Sequence, residues 1–420
     1  MAERAASIDE LAERLERLEA LVRADPMLRE IELGLDRLRV VWDRLGAPRI
    51  AERIVTVAGT NGKGSTVLAI EALALAAGLR TGVTLSPHLE RVNERIRLDG
   101  RDVDDADFLA ALDRIEAAMV QGDPVALTYF EVTVLAALLV MADARCALAV
   151  LEVGLGGRLD AVNLLACDIA VITAIDLDHQ AWLGDDREAI GREKAGILRH
   201  AVPLVLADPA PPGSVLDAAR SLDCPILEIE ALDAIAEQLA RRSARCSLHP
   251  ASAAAALAVA GELALGVERD AALDRLAQLQ LPGRLEQRVL DGVPVLLDVA
   301  HNPHAARSLA GRLGERSEDA PWHLVFGAYA DKAIEDIALA LGGRVASVRT
   351  VDTPGPRGCA GEDCAQRWNS ASPGARPAAN LQSALLDAHR DAADDGGSVL
   401  VCGSFTIVGG ARRSTEEAAT

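Results

Sequence analysis

Residues Gly59 to Ser65 read G-T-N-G-K-G-S, three glycines around one lysine and a serine. Glycine has no side chain, so backbone N–H groups in such a loop can converge on an anion. Lys63 would reach the outer phosphates of a nucleotide, and Ser65 would open a helix whose N-terminus favours negative charge. The loop differs from the common G-x-x-x-x-G-K-[ST] pattern, because Gly64 separates the lysine from the serine. The pattern predicts a phosphate-binding loop.

Two further side chains have the chemistry of cation ligands. Glu152 stands inside an aliphatic run, where a carboxylate is costly to bury unless a cation or hydrogen bonds meet it. His179 follows another aliphatic run. A salt bridge between Glu152 and Arg158, and a capping or core role for His179, are the alternatives. Two further polar stretches stand out. One begins at Ser86, and the other, Arg192–Ile197, contains Lys194.

The elements that must position these residues are short aliphatic strands that alternate with helical patterns. Strands are predicted at Ile54–Val57, Gly82–Leu85, Ala147–Val153, Ile169–Ile175, Pro203–Leu206, Pro225–Ile229, Val295–Val299, His323–Phe326, Ser347–Val351 and Ser398–Val401. Helices are predicted at residues 8–24, Tyr129–Ala142, Arg187–Leu198, Pro303–Leu313 and Asp331–Leu341. Continuous Val/Ile/Leu strands separated by helices indicate a parallel sheet covered on both faces. The loops that follow such strands meet at one edge, so the polar stretches should lie together.

The predicted fold class is α/β with two domains. Residues 1–286 would form an ATP-binding domain with a P-loop-type, mostly parallel sheet, and residues 287–420 a smaller Rossmann-like, doubly wound domain. The segment Asp352–Pro377 is rich in Pro, Gly and Ser and is predicted to be a surface loop.

Composition excludes several classes of protein. The net charge of -20 argues against nucleic-acid binding, which needs a basic surface. The longest apolar run is too short to span a membrane, and the N-terminal residues lack an apolar signal core. The seven cysteines contain no C-x-x-C pair, which fits reduced thiols in the cytoplasm. We therefore expect a cytoplasmic protein that binds neither nucleic acid nor membrane.

An ordered series of motifs resembles the folylpolyglutamate synthase family, a branch of the Mur ligase superfamily, and most closely its bacterial bifunctional members. The motifs are GTNGKGS, SPHLERVNERI, TYFE, LEVGLGGRLDAVN, DHQAWLG, REKAGI, LPGRLE, DVAHNP and VFGAYADK. The resemblance extends from about Glu32 to GSFTIVG near the C-terminus. It implies ATP-dependent ligation of L-glutamate to dihydropteroate and to reduced folates through an acyl phosphate. It also implies ATP as co-substrate, two Mg²⁺ ions, a monovalent cation and a monomeric enzyme.

The resemblance also implies roles for individual residues. ATP would be held by Asn61, Gly62, Lys63, Gly64, Ser65, Ser252, Arg284 and Asp298. Metal ligands would be Ser65, Ser86, Glu152, His179 and Lys194, the last as a carbamylated lysine. Catalysis would involve Lys63, His179, Lys194 and His301, and the pterin side would be formed by Gly34, Leu35, Asp36, Thr128, Phe130 and Asp160. The chain departs from the family at Ser252, where an asparagine is usual near the adenine.

Two other functions compete with this interpretation. A Mur-type ligase would use a UDP-linked acid, and Gly64 and the SPHL motif argue against it. A nucleotide-binding switch would perform no ligation, but it has no need of a second domain or of metal-ligand residues.

Overall fold

The chain forms two compact units, Met1–Leu279 and Gln280–Thr420. The computed structural model describes residues 11, 13–15, 17, 33–316 and 321–417. Of the helix predicted over residues 8–24, residues 11, 13–15 and 17 are helical, and the remainder lies outside the described residues. The division between the units places the LPGRLE motif, which begins at Leu281, entirely in the second unit.

The first unit is built on an eight-stranded sheet with the order β4-β3-β2-β5-β1-β6-β7-β8. Its strands are β1 Ala51–Ala58, β2 Thr81–Thr84, β3 Ile96–Leu98, β4 Arg101–Asp102, β5 Cys146–Glu152, β6 Ile169–Ile172, β7 Leu204–Leu206 and β8 Ile226–Leu227. The pairings are parallel from β2 to β8 across the sheet, and β3 and β4 add antiparallel pairings at one edge.

The α-helices of the first unit from residue 33 onward precede, separate and follow the strands, and three of them follow β8 in succession. They are α1 Asp36–Arg44, α2 Lys63–Ala76, α3 Asp105–Val120, α4 Tyr129–Ala144, α5 Gln180–Leu183, α6 Arg187–Ala195, α7 Gly213–Ser221, α8 Leu232–Arg242, α9 Pro250–Glu262 and α10 Arg269–Ala277. Strands β1, β5 and β6 share a core with α3 and α4, in which Phe108, Leu138 and Leu151 are fully buried. Helix α4 is apolar around most of its circumference, and such a helix is stable only when it is buried.

The second unit contains a six-stranded sheet with the order β13-β12-β11-β14-β10-β9. Its strands are β9 Glu286–Leu290, β10 Val293–Leu297, β11 Trp322–Phe326, β12 Val345–Thr350, β13 Ala375–Pro377 and β14 Ser398–Cys402. Its helices are α11 Pro303–Arg316, α12 Ile334–Leu341, α13 Gly361–Ala371, α14 Leu381–Asp395 and α15 Phe405–Glu417. Only β9 is antiparallel to its neighbour. The predicted α/β class with two mostly parallel sheets is confirmed.

The prediction of a surface loop over Asp352–Pro377 was wrong. This segment contains α13 and β13, and the Trp368 side chain on α13 is fully buried against Phe326 at a centroid distance of 5.0 Å. Cys364, Ala365 and Trp368 share one buried helix face, and burial of that face outweighs the loop-forming composition around it.

The strand predicted at Ile169–Ile175 ends earlier, at Ile172. Thr173 still donates its backbone N–H to the Ala58 carbonyl at 2.8 Å, but Ala174 forms an isolated bridge with Asn61 instead of continuing the strand. The chain leaves the sheet here because its backbone holds the phosphate-loop segment. Within the described ranges, no helix combines the length and apolar character required to cross a membrane.

Candidate active site

The segment between β1 and α2 has the backbone of a phosphate loop. Gly59 has a φ of 152°, and a Cβ atom at this position would collide with the Thr173 hydroxyl. Thr60 donates its N–H to the Ala174 carbonyl at 2.7 Å and its hydroxyl to the Asp176 carbonyl at 3.0 Å. The segment that follows β6 therefore holds the loop in place. Gly59 is required at its position because a side chain would collide with Thr173.

Two lysines converge on this loop. Lys63 Nζ donates to the Gly59 carbonyl at 3.1 Å, and Lys194 Nζ donates to the same oxygen at 2.8 Å. Lys194 is only 3% exposed. Burial, followed by the positive charge of Lys63, lowers the pKa of Lys194 to about 7, although Asp178 and Asp160 oppose the shift. Near neutral pH, a large fraction of Lys194 is therefore the uncharged amine, which is a nucleophile.

Glu152, the last residue of β5, presents its carboxylate to the first turn of α2. It is 5% exposed, and its Oε2 accepts the Ser86 N–H at 2.8 Å. A Cβ atom built on Gly64 would lie 3.5 Å from both carboxylate oxygens. The proposed partner Arg158 instead pairs with Glu193 at 3.0 Å. The structure thus brings Glu152, Ser86 and Gly64 together.

Arg95 and His88 form a second part of this site that the sequence did not suggest. Arg95 Nε donates to His88 Nδ1 at 2.9 Å, and its guanidinium carbon lies 5.2 Å from the Tyr129 ring centroid. Burial, followed by the charge of Arg95, lowers the pKa of His88 to about 4, so its ring is neutral. Arg95 also lines a small cavity with Ser86, Phe130 and Glu152.

His179 lies on the loop between β6 and α5. Its φ is 53°, and its side chain is 29% exposed. Its Nε2 lies 4.0 Å from Asp178 Oδ1, and its ring makes an edge contact with Trp182 at a centroid distance of 6.2 Å. Within the described residues, no three His, Cys, Asp or Glu side chains are grouped as a ready metal site.

The residues predicted for the pterin side anchor the local backbone. Asp160 is 2% exposed and accepts the N–H groups of Leu155 and Val162 at 2.8 and 3.0 Å. Burial raises its pKa to about 6, although these hydrogen bonds and Lys63 oppose the shift. The Phe130 ring packs so closely on Gly154 that a Cβ atom there would collide with it.

Thr128 is linked through Glu131 to Arg37, which follows the segment from Gly34 to Asp36. The Thr128 hydroxyl donates to Glu131 Oε2 at 2.9 Å and caps α4. Glu131 also forms a salt bridge with Arg37 at 3.0 Å. Arg37 lies directly after Leu35 and Asp36, at the beginning of α1. This salt bridge joins α1 to α4.

Ser252 lies in the first turn of α9 and is 3% exposed. Its hydroxyl donates to the Gly62 carbonyl at 3.5 Å, at the start of α2. The side chain therefore contacts the phosphate loop directly.

In the second unit, Asp298 follows β10 and is buried. Its two carboxylate oxygens accept the N–H groups of Leu285 and Ala300, each at 2.9 Å. Burial raises the pKa of Asp298, although the nearby Arg284 charge opposes the shift. His301 Nδ1 lies 2.8 Å from the Val299 carbonyl, so this nitrogen carries the proton. Arg284 and His301 both contact the ring of Phe405.

Sequence reasoning overlooked Asp178, Arg95 and Phe405. Asp178 directly precedes His179, and Arg95 lies within the SPHLERVNERI motif, so both were close to residues already selected. Phe405 begins α15, far along the chain from Arg284, and no sequence pattern signals their contact.

Comparison with known proteins gives consistent results. Residues 57–207 match the Mur ligase middle domain, and residues 283–405 match the Mur ligase glutamate ligase domain. The chain is 38% identical to the dihydrofolate synthase/folylpolyglutamate synthase of Escherichia coli over 90% of each protein. Its fold matches E. coli FolC in complex with DHPP and ADP, with a TM-score of 0.85, 34% identity and 98% of each chain covered.

A second solved structure is the Yersinia pestis bifunctional folylpolyglutamate synthase/dihydrofolate synthase complexed with AMPPNP and Mn ion. The match has a TM-score of 0.83 and 37% identity, and it covers 97% of this chain and 98% of that one. With this identity over nearly the full length, the chain belongs to the dihydrofolate synthase/folylpolyglutamate synthase family of Mur ligases.

Proposed function

We propose that this protein uses ATP to ligate L-glutamate to dihydropteroate, forming dihydrofolate, and to reduced folates. The observation that carries the proposal is the meeting of Lys63 and Lys194 at the Gly59 carbonyl of a glycine-rich loop. The buried Glu152 carboxylate lies against the same loop at Gly64. Family membership supports the assignment of the substrates.

The reaction proceeds in two displacements. A carboxylate oxygen of dihydropteroate attacks the γ-phosphorus of ATP, and the bond to the β-phosphate oxygen breaks to give an acyl phosphate and ADP. The glutamate amine then attacks the acyl carbon, loses its proton, and the collapse of the adduct releases phosphate. Lys63 neutralises charge on the transferring phosphoryl group, and the N–H groups from Asn61 to Ser65 orient the phosphates.

The proposal includes two Mg²⁺ ions and a monovalent cation. A divalent cation would supply charge neutralisation on the phosphate oxygens. Ser65 and Glu152 would bind one magnesium ion, and Ser86, Glu152 and His179 would surround the metal region near the transferring phosphate, with carbamylated Lys194 as a further metal ligand. The buried Glu152 carboxylate fits this role, because Mg²⁺ commonly takes one or two carboxylates and completes its shell with phosphate and water.

Carbamylation of Lys194 is supported by its chemistry. A carbamate forms when an uncharged amine attacks carbon dioxide, and the lowered pKa supplies that amine near neutral pH. The product retains one N–H on Nζ, so donation to the Gly59 carbonyl remains chemically possible. The modification would turn a buried cation into an anionic metal ligand.

The remaining predicted roles belong to the same proposal. The first unit would be the ATP-binding domain and the second the glutamate ligase domain. Ser252, Arg284 and Asp298 would contact the nucleotide, and His301 would take part in catalysis. Gly34, Leu35, Asp36, Thr128, Phe130 and Asp160 would bind the pterin side. The cytoplasmic location, the monomeric state and the absence of nucleic-acid and membrane binding remain predictions.

A phosphate-release assay tests the proposed function. The protein, ATP and Mg²⁺ are supplied with dihydropteroate, tetrahydrofolate, a UDP-muramoyl acid or no acceptor, each with and without L-glutamate. We expect release with the first two acceptors and only when glutamate is present, and we expect Lys63→Ala to abolish it. Release with the UDP-linked acid alone would indicate a cell-wall ligase, and release without any acceptor would indicate a nucleotide switch. No release with any acceptor would refute the proposal.

A further inference from the structure

Arg95 places a positive charge inside the first unit, and none of the roles assigned above uses it. The residue directly precedes β3 and is half-buried. It lines a small cavity together with Ser86, Phe130 and Glu152. A guanidinium remains charged in proteins, and removing a charge from water is costly unless an anion meets it. The cavity therefore contains a cation suited to an anionic ligand.

The side chains that contact the Arg95 guanidinium hold it without a carboxylate. Its Nε donates to His88 Nδ1 at 2.9 Å, and its Cζ lies 5.2 Å from the centroid of the Tyr129 ring. Of the residues that the structure describes, only His88 accepts a hydrogen bond from the Arg95 side chain. The terminal N–H groups of the fork therefore remain to bind a ligand. Burial lowers the pKa of Arg95, although the charges of Tyr129, Glu152 and Glu94 oppose the shift.

The loop that carries Arg95 and His88 is held by its own backbone contacts. The Glu94 carboxylate accepts three consecutive backbone N–H groups, those of Leu89, Glu90 and Arg91, at 2.7, 2.9 and 2.8 Å. The Arg95 carbonyl accepts the Leu85 N–H at 3.0 Å. Because the loop and the guanidinium are both fixed, little conformational entropy would be lost when an anion binds.

The cavity adjoins the predicted phosphate loop. Glu152 lines the cavity, and a Cβ atom built on Gly64 would lie 3.5 Å from both of its carboxylate oxygens. The Phe130 ring, proposed for the pterin side, lines the same cavity. An anion bound at Arg95 would therefore lie beside an aromatic ring and close to the loop proposed to hold ATP. An aromatic carboxylic acid has both of the groups that these neighbours suit.

We propose that Arg95 binds the carboxylate of the acceptor acid, the group that ATP phosphorylates. This inference deepens the proposed function and rests on it. The terminal N–H groups of the guanidinium match the two oxygens of a carboxylate, and its charge offsets the repulsion between that carboxylate and the phosphates. Phe130 packs against the aromatic ring that carries the carboxylate. Arg95 thereby orients the oxygen that attacks the γ-phosphorus.

The test measures binding of dihydropteroate to the full-length protein by calorimetry, with Mg²⁺ and a non-hydrolysable ATP analogue present. Arg95→Met removes the guanidinium, and Arg101→Met on the exposed edge strand β4 is the matched control. We expect Arg95→Met to raise Kd about tenfold, which corresponds to about 1.4 kcal/mol, and Arg101→Met to retain the native Kd. Arg95→Lys keeps the charge but loses the fork, so its Kd should lie between the two.

A dihydropteroate analogue that lacks the carboxylate separates a direct contact from a change in the shape of the site. We expect Arg95→Met and the native protein to bind this analogue equally, because the group that Arg95 holds is gone. Equal weakening of both ligands, or an unchanged Kd for dihydropteroate, would overturn the role of Arg95. Weakened binding of L-glutamate or of the ATP analogue alone would overturn it by assigning Arg95 to that anion. If the native protein bound no dihydropteroate, the proposed function would fail, and the acceptor assignment with it.

Discussion

Lys194 shows how burial changes what a residue can do. An exposed lysine is protonated at neutral pH, whereas Lys194 is almost fully buried and lies close to the positive charge of Lys63. The motif REKAGI alone does not distinguish a surface lysine from this environment. The distinction depends on the contact with Gly59, which is 135 residues away in the sequence.

We expect Lys194 to carry a carbamate in bicarbonate buffer. Its amine is mostly uncharged above about pH 7, so carbamate should accumulate as the pH rises from about 6 to 8 and disappear as it falls. Carbon NMR with isotopically labelled bicarbonate measures this modification directly. The Lys194→Met variant is the control, and a carbamate signal of equal intensity in that variant would contradict the assignment.

Asp160 should make the stability of the protein fall as the pH rises from about 4 to 7. Its folded pKa of about 6 is higher than that of an exposed aspartate, so the folded state binds the proton more tightly than the unfolded state in this interval. The contribution of Asp160 to the free energy of unfolding is complete at low pH, where its carboxyl is protonated. This contribution is lost as the carboxyl ionises. Relative to Asp160→Asn, the wild type should lose on the order of 2 kcal/mol over this range.

Denaturant unfolding of both proteins at several pH values measures this difference. The variant also loses a hydrogen bond to backbone, but that loss does not vary with pH. A stability difference that stays constant from acidic to neutral pH would contradict the raised pKa of Asp160.

The elements around the predicted phosphate loop were largely predictable from sequence, because the signal is local. The order strand, glycine loop and helix is confirmed at β1 and α2. The β9–β10 hairpin was missed, although Asp291 and Gly292 form a typical hairpin turn between two strands. The early end of β6 could not be predicted, because it depends on the bridge between Asn61 and Ala174.

We expect Gly59→Ala to disrupt the phosphate loop. The new Cβ atom would collide with Thr173, and a φ of 152° is strained for alanine. The substitution should destabilise the protein by about 1–3 kcal/mol and weaken nucleotide binding. The matched control is Gly261→Ala in α9, where nothing lies within 4 Å of the new atom, and it should be neutral or stabilising. Equal nucleotide affinity in both variants would contradict the account.

Helix α13 was not predicted from sequence, because the segment that contains it has the composition of a loop. Trp368→Ala should destabilise the protein by about 3–5 kcal/mol, because it removes a fully buried indole from the core. Leu339→Ala on α12 is the control, since this side chain is 66% exposed and should change stability by less than about 0.5 kcal/mol. Thermal or denaturant unfolding measures both. A near-neutral Trp368→Ala would mean that the segment is the surface loop predicted from its composition.

Each of the two units has its own sheet, core and candidate ligand residues. The negative overall charge is compatible with an anionic nucleotide, because Lys63 places a positive charge at the glycine-rich loop. In the second unit, the Arg284 guanidinium carbon lies 5.5 Å from the centroid of the Phe405 ring. The composition of the whole chain therefore does not describe the charge at any one site, and the absence of nucleic-acid binding remains a prediction.

The central claim is that the acceptor carboxylate is activated as an acyl phosphate. Dihydropteroate labelled with a heavy oxygen isotope in its carboxylate tests this claim most directly, in a reaction with ATP, Mg²⁺ and L-glutamate. The mechanism transfers one carboxylate oxygen to the released phosphate, so mass spectrometry should find phosphate that carries the label. Unlabelled phosphate formed together with dihydrofolate would contradict the acyl-phosphate route.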